Sequence, residues 1–177
     1  MDLFFQQVLN GLTLGSIYGL VALGLTLVYG ILHVPNFAHG ALYMVGAYIS
    51  YFVMVDMGLN YWIAMIAAAG VVALISVLCE RLIFHPLRHA PPIHDKIAAI
   101  GVMLFLEAVV QMHWGADFRR MPTPYTSILH FGDMTLPAQR LLIIVAAFSL
   151  MGLLHLYLKK TMTGSTIVAM AQNREGA

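Results

Sequence analysis

An all-helical integral membrane protein with about five spans is the fold class this sequence predicts, and three observations predict it. The chain is 60% hydrophobic and only 10% charged, where a soluble domain carries about 25% charge, so there is too little charge to coat an aqueous surface. Near the N-terminus, Gly11 to Leu32 runs without a single charge, and about 20 mostly apolar residues suffice to cross the ~30 Å hydrocarbon core. Further apolar runs of similar length follow, each closed by polar or proline-bearing punctuation. A net charge of +1 leaves no basic patch for phosphates and excludes a nucleic-acid role.

The first span is expected over 8–32. Its start, Met1-Asp2-Leu3-Phe4-Phe5-Gln6-Gln7, lacks the basic region of a signal peptide, so the helix is expected to stay in the mature protein. Gly11, Gly15 and Gly19 recur every four residues and share one helix face, a predicted packing seam that lets another helix approach closely. Ala67, Ala68, Gly70 and Ala73 of the third span are candidate partners for it. The polar stretch His33-Val34-Pro35-Asn36-Phe37-Ala38-His39-Gly40 breaks the helix, since Pro35 interrupts the hydrogen-bond ladder.

The second span is expected over 37–55 and the third over 61–78, joined by the tight turn Asp56-Met57-Gly58-Leu59-Asn60. A charged, proline-rich linker over 80–96 follows, with Ala90-Pro91-Pro92 forbidding helix. The fourth span is expected over 97–114, a polar non-helical loop over 115–140, and the fifth span over 141–158. Residues 159–177 form a tail, and the whole of 1–177 reads as one transmembrane domain. Short loops retain Lys and Arg on the cytoplasmic side. Arg81, Arg88, Lys96, Lys159, Lys160 and Arg174 fall on one side and Arg119, Arg120 and Arg140 on the other, six against three of the nine. This favours an external N-terminus and a cytoplasmic tail.

Asn36, Phe37, His39 and Gly40 are candidates to line a substrate path, because backbone groups freed at a helix break are tolerated at membrane depth only beside protein or a wet cavity. The alternative is a turn in which Asn36 caps the second helix. Glu107 lies inside the fourth span, where a carboxylate has to be paired, protonated or turned to a wet interior; a hydrogen bond to Gln111 one turn on is the plainer reading. The eight histidines form no metal set: His85 and His89 are separated by the helix-breaking Pro86, and no Cys or carboxylate completes a site. No cofactor is expected. Lone Cys79 forms no internal disulfide. The chain contains no G-x-x-x-x-G-K-[ST] loop and no nucleophile pattern, so it is not expected to be an enzyme.

Asn10-Gly11-Leu12, Gly15-Ser16-Ile17-Tyr18-Gly19-Leu20-Val21-Ala22-Leu23-Gly24-Leu25, Tyr29-Gly30, Asn36-Phe37-Ala38-His39-Gly40 and Gly46-Ala47-Tyr48 together resemble the permease of branched-chain amino acid ABC importers, a block also present in urea and short-chain amide permeases. Thr161, Gly164, Ala169 and Ala171-Gln172-Asn173-Arg174-Glu175-Gly176-Ala177 resemble the start of the short cytoplasmic helix with which such permeases engage their ATPases. Ser165 and Val168 stand where the family usually has basic residues. The resemblance implies a bacterial inner-membrane transport subunit whose partners are membrane lipid, a second permease subunit, cytoplasmic ATP-binding subunits and a periplasmic substrate-binding protein. It implies coupling roles for Gly164, Gln172, Asn173, Arg174 and Glu175. Family members continue for about three more spans, so an N-terminal part is expected. The alternatives are a urea or short-chain amide ABC permease, an ion-coupled secondary transporter using Glu107 and the break, and a haem-holding redox subunit.

Overall fold

Lipid offers no partner for backbone N–H and C=O groups, so an apolar chain satisfies them inside helices. The computed structural model, which describes residues 2–32, 37–87, 90–117, 119–122, 128–131 and 134–172, is built on that solution. Its helices are α1 (Asp2–Leu32), α2 (His39–Tyr51), α3 (Tyr61–Cys79), α4 (His85–Leu87), α5 (Pro92–Trp114), α6 (Ala138–Lys160) and α7 (Met162–Gln172). π-helical turns at Phe52–Asp56 and Glu80–Phe84 continue α2 and α3.

Four helices among the described residues are long and apolar enough to cross a membrane: Gln6–Tyr29, Tyr61–Leu87, Ile93–Trp114 and Ala138–Lys160. The second expected span is different. With its π turn it runs only from His39 to Asp56 and carries Tyr43, Tyr48, Ser50 and Tyr51, which lowers its apolarity. Elsewhere large apolar side chains face outward, Ile66 at 70%, Leu82 at 71% and Met112 at 86% exposure. The most deeply buried positions are small, Ala64, Ala99 and Ala147 at 1% or less. That is the pattern of helices held by close backbone approach with lipid outside.

Three boundaries depart from the sequence reading, each for a local reason. The linker expected over 80–96 is largely helical. Pro86 lacks an N–H and its ring crowds the carbonyl four residues back; the preceding turn widens instead of breaking, and the His85 amide donates to the Glu80 carbonyl. α5 starts at Pro92, a position where the missing donor costs nothing, so His94, Asp95 and Lys96 are helical. Proline punctuation therefore shortened the predicted helices at both ends of this linker. The loop expected over 115–140 contains a hairpin, β1 (Ile128–Phe131) antiparallel to β2 (Met134–Pro137), with Ile128 opposite Pro137.

The chain divides into two compact units, residues 34–122, and residues 1–33 with 123–177. In the first, α2 packs against α3 and α5. Ala38, Ala41 and Val45 meet Val102, Leu106 and Val110 in the core, flanked by Val72, Cys79 and Ile83. The turn between α2 and α3 closes at Gly58, in the left-handed region at φ +65, while the Leu59 amide donates to the Val53 carbonyl at 3.1 Å. A Cβ at Gly46 would lie 3.4 Å from Val72 Cγ2, at the limit of ordinary contact. Gly46→Leu is therefore expected to push α2 off α3 and destabilise the unit by about 1–3 kcal/mol, read as a fall in midpoint of thermal unfolding in detergent, whereas Gly46→Ala leaves it near the parent value.

In the second unit α1 packs against α6 and α7. The buried residues of α1 include Thr13 and Ser16, whose hydroxyls donate back to the Leu9 and Leu12 carbonyls at 2.9 and 2.7 Å. Gly19 sits 4.0 Å, measured from a built Cβ, from Met151 Sδ. Asn10 Oδ1 accepts a hydrogen bond from Arg140 Nη1, tying the two helices at one end.

Candidate functional site

Two fixed points set the depth of α2 within its unit. Tyr48 meets Trp114, at the end of α5, with ring centroids 5.4 Å apart, and Gly46 faces Val72 of α3. The tight turn at Gly58 makes α3 antiparallel to α2, and α5, following α3, runs parallel to α2. His39 precedes Tyr48 by about nine residues, roughly 13 Å of helix, which sets it level with the middle of α5. From there α5 extends about 20 Å further toward Pro92. Counted from the Gly46 contact, His39 lies level with Cys79 at the end of α3, and the helical run goes on through the π turn and α4 for about 12 Å to Leu87. α2 therefore begins well inside the ends of both its neighbours.

The residues at this start are not uniformly covered. Phe37 and Gly40 are exposed, Ala38 is buried at 1% exposure, and His39 is half-buried. Ala38 occupies the N-cap position and supplies no side-chain hydrogen bond to the first turn. The expectation that Asn36 caps this helix does not fit a first helical residue at His39, because a cap must directly precede that residue. Asn36, His33, Val34 and Pro35 lie outside the described residues.

Glu107 lies on α5 about seven residues before Trp114, roughly 10 Å of helix, and so at nearly the depth of His39. It borders the buried Val102–Leu106–Val110 face and is half-buried. Among the described residues no hydrogen bond or ion pair reaches it, from Gln111 or from any other side chain. Within a helix the backbone amides are taken up by backbone carbonyls, so no side chain among the described residues offsets the cost of a carboxylate in hydrocarbon, about 2.5 kcal/mol or more.

The expected glycine seam is split. Gly19 takes part in packing, whereas a Cβ at Gly11 or Gly15 would meet nothing within 4 Å. The face of α1 that is covered runs through Thr13, Ser16 and Gly19, rotated from the expected stripe. Ala64 and Ala68 of α3 are buried inside their own unit.

At the other end of the chain, α6 closes at Lys160 and α7 opens at Met162, leaving Thr161 alone between them. Gly164 is buried, and a Cβ there would lie 2.6 Å from Leu158 Cα and 2.8 Å from its carbonyl oxygen, with the Tyr157 carbonyl closer still. Only glycine allows this backbone approach. α7 also contacts α1. Gln172 ends the helix; Asn173, Arg174 and Glu175 lie outside the described residues.

Three contacts were not foreseen. The guanidinium of Arg119 lies 5.9 Å from the Tyr51 ring centroid and donates to the Trp114 carbonyl at 3.1 Å. Hydrogen bonding to Tyr51 holds its pKa above the ordinary arginine value, with Asp56 and Asp117 adding Coulombic support. Trp114 is packed against Tyr48, Phe52 and His113. The Asn10–Arg140 bond joins residues so far apart in sequence that no local pattern signals it. Thr161 did carry a signal, a Thr directly before a helical run.

Residues 7–177 match the family model described as branched-chain amino acid transport system, permease component. The chain is 33% identical to the high-affinity branched-chain amino acid transport system permease protein BraD of Pseudomonas aeruginosa, over 96% of this chain and 60% of that protein. It is 37% identical to the corresponding permease protein LivH of Escherichia coli, over 68% of this chain and 42% of that one. It thus spans about half the length of these curated relatives. No solved structure matches it.

Proposed function

The chain belongs to the branched-chain amino acid transport permease family, and on that premise we propose that it serves as the membrane-spanning conduit of an ATP-driven importer of branched-chain amino acids. The observation that supports this reading is that α2 starts inside the ends of its neighbours, level with the middle of α5 and with Cys79 of α3, with half-buried His39 and Glu107 at nearly one level. A polar helix end at that depth needs a wet or protein-lined surrounding, and a half-helix terminus of this kind is suited to a zwitterionic substrate. Asn36, Phe37, His39, Gly40 and Glu107 are assigned to the path.

In this reading five spans cross the inner membrane, the short α2 with its π turn being the second, and residues 1–177 act as one transmembrane domain. The N-terminus is external and the tail cytoplasmic. Of the three cations on the external side, Arg119 is engaged by Tyr51 and Arg140 by Asn10, so packing accounts for their position against the charge rule. A second permease subunit completes the path, a periplasmic binding protein delivers substrate, and cytoplasmic ATPases supply energy. α7, with Gly164, Gln172, Asn173, Arg174 and Glu175, is the docking element for an ATPase. Closure of the ATPase pair pushes α7 and switches the path between outward and inward openings.

Asn173→Cys, co-expressed with an ATPase bearing a cysteine in its cleft, is expected to crosslink in the assembled complex and to crosslink differently with ATP bound. An assembled complex with no crosslink removes the docking assignment. Uptake driven by a proton gradient in vesicles without ATP would replace the importer by an ion-coupled transporter.

A further inference from the structure

One hydroxyl joins α6 to α7. Thr161 Oγ1 donates to the Tyr157 carbonyl of the last turn of α6 at 2.7 Å, and the same oxygen accepts from the Gly164 amide in the first turn of α7 at 3.0 Å. The backbone of Thr161 does the same double duty. Its amide donates to the Tyr157 carbonyl at 3.1 Å, and its carbonyl accepts from the Ser165 amide at 2.9 Å. The residue thus ends one helix and caps the next. A second tie lies beside it, Tyr157 Oη to Thr163 Oγ1 at 2.9 Å. Behind both, the bare Gly164 backbone is pressed against Tyr157 and Leu158.

A single extended residue between two helices is ordinarily a free hinge, because φ and ψ of the link can turn without breaking either helix. Here those torsions are held from three directions. We propose that the junction is a rigid elbow in which Thr161 is the positioning residue, so that force applied to α7 rotates α6 instead of bending the joint. The inference rests on the reading of α7 as the ATPase-docking helix, and it assigns the angle between helix and span to one side chain. A lever of this kind loses stroke when the joint softens, even if the ATPase still binds and hydrolyses.

The test uses the assembled importer in proteoliposomes with Thr161→Val, which keeps the shape and removes the hydroxyl, and Thr161→Ser, which keeps the hydroxyl. Spin labels on Leu153 and Ala169 report the elbow angle as a distance distribution. The parent and Thr161→Ser are expected to give one narrow distribution and Thr161→Val a broad one. Substrate moved per ATP hydrolysed is expected to fall about fivefold in Thr161→Val, the population change that loss of one cap produces, and to recover in Thr161→Ser. A narrow distribution in all three, or a broad one with unchanged transport per ATP, overturns the elbow while leaving ATPase docking intact. Failure of docking itself is read separately, from the Asn173→Cys crosslink in the parent.

Discussion

In the proposed importer, Gly164→Ala is expected to abolish substrate uptake while the membrane spans still insert. The added Cβ has nowhere to go: it would overlap Leu158 Cα at 2.6 Å and the Leu158 carbonyl oxygen at 2.8 Å. These are backbone atoms of a hydrogen-bonded helix end, and they do not yield as a flexible side chain does. Overpacking against such a neighbour costs about 1–3 kcal/mol, and the elbow has only one residue of link in which to absorb it. α7 is therefore expected to swing away from α6 and α1, so that the Thr161 bonds to Tyr157 and Gly164 separate. The measurement is uptake of labelled leucine alongside co-purification of the ATPase. Loss of both, with normal membrane levels of the chain, is the expected result. Uptake above half the parent value would mean that the close approach at Gly164 is not required for the working complex.

The contrast between Gly164 and Gly11 marks what a single sequence discloses. Both are glycines on helices of apolar composition, and it is the four-residue spacing that points to a packing role for the stripe at Gly11, Gly15 and Gly19. Periodicity identifies which residues share a face, but the neighbour of that face is decided by tertiary packing. The covered face of α1 is instead marked by Thr13 and Ser16, hydroxyl residues that satisfy themselves on their own helix and so tolerate burial. The apolar spans were legible because lipid demands length and hydrophobicity from each helix separately. Their ends were less so, because proline was read as a terminator at Pro86, where a π turn absorbs it, and at Pro92, where it opens a helix. Similarly, the break near His39 was visible in its residue types, yet its depth depends on Tyr48 meeting Trp114 and Gly46 meeting Val72. Such contacts leave no local trace. The hairpin at 128–137 was hidden for a related reason, since a two-stranded ribbon depends on what it lies against, here α1 and α6.

Glu107→Leu separates the two demands placed on α5 and is expected to move stability and transport in opposite directions. A carboxylate near the centre of a span costs about 2.5–3.5 kcal/mol on an insertion scale. With no hydrogen-bond partner for Glu107 among the described residues, little within the chain offsets that cost. Leucine removes the penalty and extends the apolar surface beside Leu106 and Val110, so the variant should insert at least as well as the parent and resist thermal unfolding in detergent somewhat better. If the carboxylate serves the path, its removal costs function: labelled leucine uptake is expected to fall at least about tenfold, the loss of one charge-assisted hydrogen bond to a substrate ammonium or its water. Glu107→Gln refines the outcome. Retained uptake in Gln with loss in Leu assigns hydrogen bonding as the role, whereas loss in both assigns charge. Uptake equal to the parent in Glu107→Leu, with the complex assembled, would remove Glu107 from the path and leave the half-helix start at His39 as its polar feature at that depth.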